Sequence, residues 1–372
     1  MPTDRARSMM EFLKRAGWGG ASVVPLAGDA STRRYFRVAL NGRGAMLMDQ
    51  PQQAEAPAAH AGATPEERRA LGYNAVARLA GADCGRFVAT SNYLRARGLS
   101  APEIYAADAA EGFVLAEDLG DDLYASVLSA GGDETLLYGA AIDVLAQLHA
   151  EAAPALLLPD KALHAYDETA LVAETDLMTE WFFPVGLGRD AREAEVEEHR
   201  ALWRGEIALA SHAASVFVHR DYHAQNLLWL PERSGVARVG LIDFQDAVAG
   251  AAAYDLISLI EDARRDVSPD LAEAMTRRYI AAIRERGTPL DEEAFHASVA
   301  IYAAQRNAKI VGIFSRLWKR DAKPRYLDYL PRVWGYLNRD LQHPALAPLK
   351  AWYDRTIPLA VRGRPNIPEV SA

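Results

Sequence analysis

The sequence has a single cysteine, Cys84, among its 372 residues. A disulfide within the chain is therefore impossible, and the Cys-x-x-Cys pairs of zinc sites are absent. Long hydrophobic runs are also missing, since no stretch approaches the roughly 18 apolar residues that a membrane-spanning helix requires. The first residues lack the apolar region of a signal peptide. These absences predict a cytoplasmic protein that does not associate with a membrane.

Positive charge is in the minority. The chain has 41 Lys and Arg against 50 Asp and Glu, a formal net charge of −9. Such a surface does not attract nucleic acid or anionic lipid, so neither is expected as a partner, and no protein partner is indicated. A polyphosphate ligand would be repelled unless a metal ion or local Arg and Lys side chains neutralised it. The length predicts about two to three domain-sized units.

The first third of the chain has the alternation and turn signals of β-strands. Residues 23–26, 34–40 and 45–48 are apolar runs separated by the turn pairs Gly28-Asp29 and Asn41-Gly42, which predicts a three-stranded meander. Residues 52–64 are rich in Ala, Gln, Pro and Gly and indicate a surface excursion. Further elements are predicted as helices at 8–16, 64–80 and 86–97 and strands at 102–105 and 112–116.

Beyond Gly120 the periodicity becomes mostly helical. We therefore predict an α+β chain with a boundary at residue 118: an N-terminal lobe, 1–118, with an insertion at about 52–82, and a helical lobe, 119–372. The proline-bearing tail after Pro344 is expected to wrap the surface. Helices are predicted at 134–150, 168–183, 190–212, 255–265, 269–286, 291–318 and 325–341.

A polar loop between two short apolar runs carries the pattern His219-x-Asp221-x4-Asn226, and a third apolar run ends in Asp243. Two adjacent strand ends would bring Asp221, Asn226 and Asp243 together. Phosphoryl transfer from a metal nucleotide needs one carboxylate at the acceptor hydroxyl, and an amide and a second carboxylate at the metal. Asp and Asn often serve only to form turns, but this spacing favours a catalytic loop.

Residues 219–226 and 242–245, His-Arg-Asp-Tyr-His-Ala-Gln-Asn and Ile-Asp-Phe-Gln, resemble the catalytic core of the aminoglycoside phosphotransferase family, relatives of the protein kinases. Glutamine after the Asp-Phe pair is typical of the branch that acts on small molecules. The resemblance covers about residues 22–345. It implies a bilobal protein-kinase-like fold, ATP and Mg2+ as cofactors, Asp221 as the proton acceptor, and Asn226 and Asp243 as metal ligands.

Within that branch, residues 28–35, 48–51 and 305–317 are similar to the bacterial kinases that phosphorylate the anomeric hydroxyl of N-acetylmuramate and N-acetylglucosamine during peptidoglycan recycling. This similarity implies an ATP-dependent amino-sugar kinase that forms 1-phosphates. Two alternatives stay open. One is a kinase for another small alcohol, such as an aminoglycoside, choline or homoserine, and the other is a nucleotide-binding regulatory module without turnover.

One expected residue is missing. Related kinases carry a lysine on the third strand, paired to a helix glutamate, for the nucleotide phosphates. Here residues 45–49 read Ala-Met-Leu-Met-Asp, and the predicted helix 86–97 contains no acid. Arg33 and Arg34 are the candidates to replace the lysine, because arginine is always charged and suits phosphate. The alternative is that they are exposed strand charges.

The remaining nucleotide contacts follow from the resemblance. Gly28, Ser31 and Thr32 lie where the family covers the ATP phosphates, although a simple hairpin turn would read the same. Glu117 and Leu119 occupy the family's hinge between lobes, where adenine binds the backbone.

Substrate candidates lie in the helical lobe. Glu174 and Asp176 could accept hydrogen bonds from sugar hydroxyls, or lie on a solvated helix face. Arg306 could bind a substrate carboxylate such as a lactyl group, or form an internal ion pair. His223 could face substrate or solvent.

Two residues are predicted to support the catalytic loop. His219 supports it by packing and hydrogen bonding. Asp255, by resemblance, hydrogen-bonds the same loop, a role compatible with simple N-capping of its helix.

Overall fold

The computed structural model describes residues 4–26, 33–51, 58–60, 62–79, 83–210 and 215–365. Its strands are β1 (Ser22–Pro25), β2 (Arg34–Leu40), β3 (Arg43–Asp49), β4 (Ile104–Asp108), β5 (Phe113–Ala116), β6 (Leu156–Leu158), β7 (Lys161–Ala162), β8 (Val216–Val218), β9 (Leu227–Trp229), β10 (Val239–Leu241) and β11 (Val248–Gly250). Its α-helices are α1 (Asp4–Arg15), α2 (Pro65–Leu71), α3 (Cys84–Arg95), α4 (Tyr124–Ser129), α5 (Glu134–His149), α6 (Glu168–Leu177), α7 (Glu193–Ala210), α8 (Ala253–Ile260), α9 (Pro269–Glu285), α10 (Glu292–Lys319), α11 (Leu330–Asp340) and α12 (Ala347–Thr356).

An antiparallel sheet in the order β1-β2-β3-β5-β4 forms the N-terminal region. The predicted meander is its first three strands. Between β2 and β3, Asn41 and Gly42 both have positive φ, 51° and 77°, as a tight two-residue hairpin turn requires. One face of the sheet packs on α1, where Phe12 and Leu13 are buried with Val38, Leu47 and other strand residues.

The segment predicted as one helix over 64–80 is two. The Thr64 side chain and Glu67 form the expected capping box at the start of α2. The helix then ends at Gly72, whose φ of 96° lies in the left-handed half of backbone space. A short π-helical segment, Asn74–Arg78, follows, and Leu79 again has a positive φ of 70°.

The catalytic-loop region consists of short strands. Strands β9 and β10 pair antiparallel, with Leu227 opposite Leu241. Gly240 also bridges to Ser100, which anchors the pair to the segment before β4. The predicted polar loop lies between β8 and β9, and Asp243 follows β10 by two residues.

The rest of the chain is helical, and two predictions about it were wrong. The helix expected at 168–183 is α6 followed by a π-helical stretch, Met178–Leu187, that contains Pro184. The tail after Pro344 does not merely wrap the surface. It forms α12, whose Trp352 and Tyr353 are buried. Within the described ranges, no helix is long and apolar enough to cross a membrane.

The chain divides into two compact units. The first contains the five-stranded sheet and the loops that carry Asp221 and Asp243, and the second contains most of the helices. The lobe boundary at residue 118 was drawn from the change in sequence periodicity, whereas these units reflect contacts in space. The boundary therefore stays a prediction. The units comprise Met1–Val144, Ala153–His164 and His219–Val248, and Leu145–Ala152, Ala165–Val218 and Ala249–Ala372.

Candidate active site

His219 ties the polar loop to the strand that precedes Asp243. Its Nε2 lies 3.1 Å from the main-chain oxygen of Ile242. Its ring meets Tyr222 and Phe244 edge to face, and the Tyr222 hydroxyl donates to the Ala141 carbonyl at 2.8 Å. These contacts involve packing and a main-chain partner, and the supporting role of His219 stays a prediction.

Asn226 is held beside Asp221. Its Nδ2 donates to the Asp221 main-chain oxygen at 2.9 Å, and the Ile242 N–H donates to the Asn226 carbonyl at 3.2 Å. The amide oxygen, Oδ1, accepts no hydrogen bond from the described residues. An amide oxygen is a suitable ligand for a hard cation such as Mg2+.

Asp243 has an unusual backbone conformation, with φ of 62°, a left-handed value that is uncommon for a residue other than glycine and recurs at functional sites. Its Oδ1 accepts hydrogen bonds from Arg33 Nη1 at 2.9 Å and Gln245 Nε2 at 3.0 Å. Its side chain is 43% exposed, and Oδ2 is the atom left for a metal.

The electrostatic surroundings of Asp243 favour a bound cation. The enclosing protein raises the pKa of its carboxyl above the usual range; Arg33 opposes that rise, and Asp221 and Asp246 add to it. No group of three or more His, Cys, Asp or Glu side chains in the described ranges is arranged to hold a metal by itself. The carboxylate and amide oxygens of Asp243 and Asn226 fit Mg2+ that completes its shell with phosphate and water oxygens.

The two candidate replacements for the strand lysine are in different surroundings. Arg33 has a side chain only 5% exposed and pairs with Asp243. Arg34 is 55% exposed and pairs with Asp49, which also binds Arg5. The structure therefore brings Arg33, but not Arg34, to Asp243, and a phosphate contact by either arginine stays a prediction. Gly28, Ser31 and Thr32 lie outside the described residues.

Sequence reasoning missed three charged residues at this site. Arg78 Nη2 lies 3.2 Å from Asp246 Oδ2. Arg220 donates to the carbonyls of Ala77 and Arg78 at 2.5 and 2.9 Å. The available signals were weak: Arg220 lies inside the recognised motif, Asp246 lies three residues after Asp243, and Arg78 belongs to a segment that resembles a surface insertion.

The hinge candidates directly follow β5. Glu117 pairs with Arg233 at 2.5 Å and Arg95 at 3.5 Å. The Leu119 side chain lies against Gly240, where an added Cβ would be 3.3 Å from its Cδ1. Adenine binding at this stretch stays a prediction.

The substrate candidates Glu174 and Asp176 both have basic partners. Glu174 is 1% exposed, so the solvated-face interpretation is wrong for it. It accepts hydrogen bonds from Tyr166 and Gln305 and pairs with Lys309 Nζ at 2.7 Å. Asp176 pairs with Arg200 at 2.9 Å.

The other substrate candidates are buried as well. Arg306 is 5% exposed and donates through Nη2 to the Ser258 hydroxyl at 2.9 Å rather than to a carboxylate. His223 is 6% exposed, and its Nδ1 accepts from the Gln225 N–H at 3.3 Å. Their contacts with a substrate stay predictions.

Asp255 is the third residue of α8, whose N-cap is Ala252, so simple N-capping is not its role. It is fully buried, with one oxygen 3.8 Å from His149 Nε2. Its predicted bond to the catalytic loop stays a prediction.

An antiparallel sheet, a helical remainder and two loops that carry Asp221, Asn226 and Asp243 define a protein-kinase-like fold. Solved structures support this fold class: a choline/ethanolamine kinase family protein from Mesorhizobium loti has a TM-score of 0.55, with 15% identity over 95% of this chain and 99% of that one. A GDP complex of aminoglycoside 2'-phosphotransferase-IIIa has a TM-score of 0.55, with 13% identity over 91% and 98% of the two chains. These likenesses show the fold alone.

The sequence comparisons reach further. The model of a family described as "Phosphotransferase enzyme family" matches residues 22–290. A relative from Caulobacter vibrioides, named N-acetylmuramate/N-acetylglucosamine kinase, is 46% identical over 97% of this chain and 99% of its own. A protein of the same name from Pseudomonas putida is 31% identical over 91% and 90% of the two chains. The chain belongs to the phosphotransferase enzyme family, and the predicted family, fold class and type of enzyme are confirmed.

Proposed function

We propose that this protein transfers the γ-phosphoryl group of ATP to the anomeric hydroxyl of N-acetylmuramate and N-acetylglucosamine, for peptidoglycan recycling. The observation that carries the proposal is the 46% identity to a kinase named for these two sugars, which extends over 97% of the chain. Likeness over that length includes the region that selects the acceptor as well as the nucleotide-binding part.

The geometry of the loop supports the chemistry. The sugar O1 attacks the γ-phosphorus, the bond from that phosphorus to the bridging oxygen breaks, and ADP leaves. Asp221 takes the hydroxyl proton. Asn226 and Asp243 would hold Mg2+, which would supply positive charge to neutralise the phosphates. ATP and an amino sugar are the only partners that the proposal requires, and it assigns the protein to the cytoplasm, where ATP is available.

Kinases for choline, aminoglycosides or homoserine are the nearer alternative. Their support is a shared fold at 15% identity or less among the structures named above, which carries no substrate information. The non-catalytic alternative rested on the missing strand lysine, and the buried Arg33 beside Asp243 offers a cation in its place.

The test measures ADP release with ATP over a panel of N-acetylmuramate, N-acetylglucosamine, choline, homoserine and an aminoglycoside, with and without Mg2+. We expect Mg2+-dependent ADP release with the two N-acetylated sugars and a product whose phosphorus NMR coupling locates the phosphate on C1. Turnover confined to another alcohol would overturn the substrate assignment. ATP binding without turnover on any acceptor would favour the regulatory alternative.

A further inference from the structure

Two arginines from distant parts of the chain meet at one carboxylate oxygen. Arg33 Nη2 and Arg78 Nη2 lie 3.9 and 3.2 Å from Asp246 Oδ2. Asp246 is 14% exposed, and its Oδ1 is buried and accepts no hydrogen bond from the described residues. Burial by itself would raise the pKa of Asp246, but Arg78, Arg33 and Arg220 hold that pKa below its usual value. Asp246 is therefore ionised, and its negative charge stabilises the positions of the two arginines.

The chain segment that carries Arg78 is fixed to the catalytic loop. Arg220, the neighbour of Asp221, donates to the carbonyls of Ala77 and Arg78. These two carbonyls belong to the end of the π-helical segment Asn74–Arg78. All of these residues belong to the first compact unit. The hydrogen bonds from the Arg220 side chain to these carbonyls thus help to set the position of Arg78 relative to Asp221.

Helix α3 supplies a cation where an acid was expected. Arg86 is buried at its start and donates to the carbonyls of Ala162 and Ala247 at 2.9 and 3.4 Å. Neither this helix nor β3 offers a lysine–glutamate pair for phosphate. Asp246, from the loop that also carries Asp243, is the acid that pairs with both arginines.

We propose that Asp246 positions Arg33 and Arg78 as a pair of phosphate-binding cations, with Arg78 supplied by the segment 72–79. The inference rests on the proposed ATP-dependent transfer. Arg33 Nη1 lies 2.9 Å from Asp243, the residue that would hold Mg2+ beside the nucleotide phosphates. The Arg78 side chain is 29% exposed, so it is partly accessible to a ligand while its Nη2 lies beside Asp246. Guanidinium groups held in this way are preorganised for phosphate oxygens.

The test uses Arg78→Gln and Asp246→Asn, with Arg69→Gln as the matched control. Arg69 lies in α2, just before this segment, is 57% exposed and pairs only with Glu66 among the described residues. Calorimetry would measure the affinity for MgADP, and competition would measure the affinity for adenosine, which has no phosphate. We expect Arg78→Gln and Asp246→Asn each to weaken MgADP binding about tenfold to a hundredfold and to leave the affinity for adenosine unchanged. Arg78→Lys, which keeps the charge, should lose less affinity for MgADP than Arg78→Gln does. Arg69→Gln should change neither affinity.

Unchanged MgADP affinity in Arg78→Gln would overturn the proposal, and so would equal losses for MgADP and adenosine, which indicate a general distortion. If Asp246→Asn does not fold, Arg78→Gln and Arg33→Gln still decide the matter. In the double variant of Arg78 and Asp246, the two effects should be less than additive, because both remove the same arrangement. None of these measurements needs a sugar. Failure on the sugar panel would therefore refute the proposed function without deciding whether Arg33 and Arg78 bind phosphate.

Discussion

Asp221 is the residue on which transfer to a hydroxyl depends most directly. In Asp221→Asn the side-chain shape is kept and the proton acceptor is lost. We expect kcat to fall by about a hundredfold to ten-thousandfold, with the affinities for sugar and MgADP nearly unchanged. ADP release and calorimetry would measure the two effects, with thermal unfolding as the control for folding. Turnover close to that of the unaltered protein would show that another group accepts the proton.

The site residues that lie within one short stretch of sequence were predictable. The residues that come together from distant parts of the sequence were not. Asp221, Asn226 and Asp243 are separated by turns and strands whose lengths determine where the side chains meet. Arg78 and Asp246 are 168 residues apart, and no periodicity links them. Arg33 and Arg34 are adjacent, but successive side chains near a strand point in opposite directions, so only one could reach Asp243.

Helix α10 approaches α6 closely at Gly312. A Cβ at this glycine would lie 2.4 Å from the main-chain carbon of Leu177 and 2.5 Å from its Cβ. We expect Gly312→Ala to lower the free energy of unfolding by about 1–3 kcal/mol, because the helices must move apart. Urea unfolding would measure it.

Gly335 in α11 is the matched control for that change. It is exposed, and an added Cβ would meet no atom within 4 Å. Gly335→Ala should raise the free energy of unfolding by about 0.5–1 kcal/mol, since alanine loses less backbone entropy in a helix. Equal effects in the two variants would contradict the close approach at Gly312.

The errors at the level of helices have local causes. Apolar periodicity continued past Gly72, but the positive φ of that residue stops α2. The sequence prediction lacks α12, because a tail that carries Pro348 and Pro358 is expected to wrap the surface. Pro348 lies in the first turn of α12, where a missing N–H costs nothing. The bounds of amphipathic helices that no internal proline or left-handed residue interrupts, such as α9 and α10, were predicted to within one or two residues.

The stability of the molecule should depend on a buried acid pair. Asn307 Nδ2 donates to Glu261 and Asp340 at 2.6 and 2.9 Å, and Arg339 pairs with Glu261. Burial raises the pKa of Glu261 against the opposing effect of Arg339. Burial and the neighbouring Glu261 raise the pKa of Asp340. The folded protein therefore binds protons here more tightly than the unfolded chain does.

The sign of the pH dependence follows from those raised pKa values. The stabilisation is complete below the ordinary carboxyl pKa of about 4 and is lost as the pH rises through the folded values. With Asp340→Asn, the free energy of unfolding should therefore fall less steeply as the pH is raised from about 4 to above neutral. Urea unfolding across that range would measure it, with the exposed Asp160→Asn as control. An unchanged slope in Asp340→Asn would assign the pH dependence to other groups.

The hydrogen bonds from Arg220 to Ala77 and Arg78 have a consequence for how this chain can vary. Surface segments ordinarily tolerate insertions and deletions, but a change of length between Gly72 and Leu79 would withdraw the carbonyls that Arg220 binds and shift Arg78 away from Asp246. The segment and the loop at 219–246 thus form one inherited module. A chimera that exchanges either piece with a relative should work only when both pieces come from the same parent.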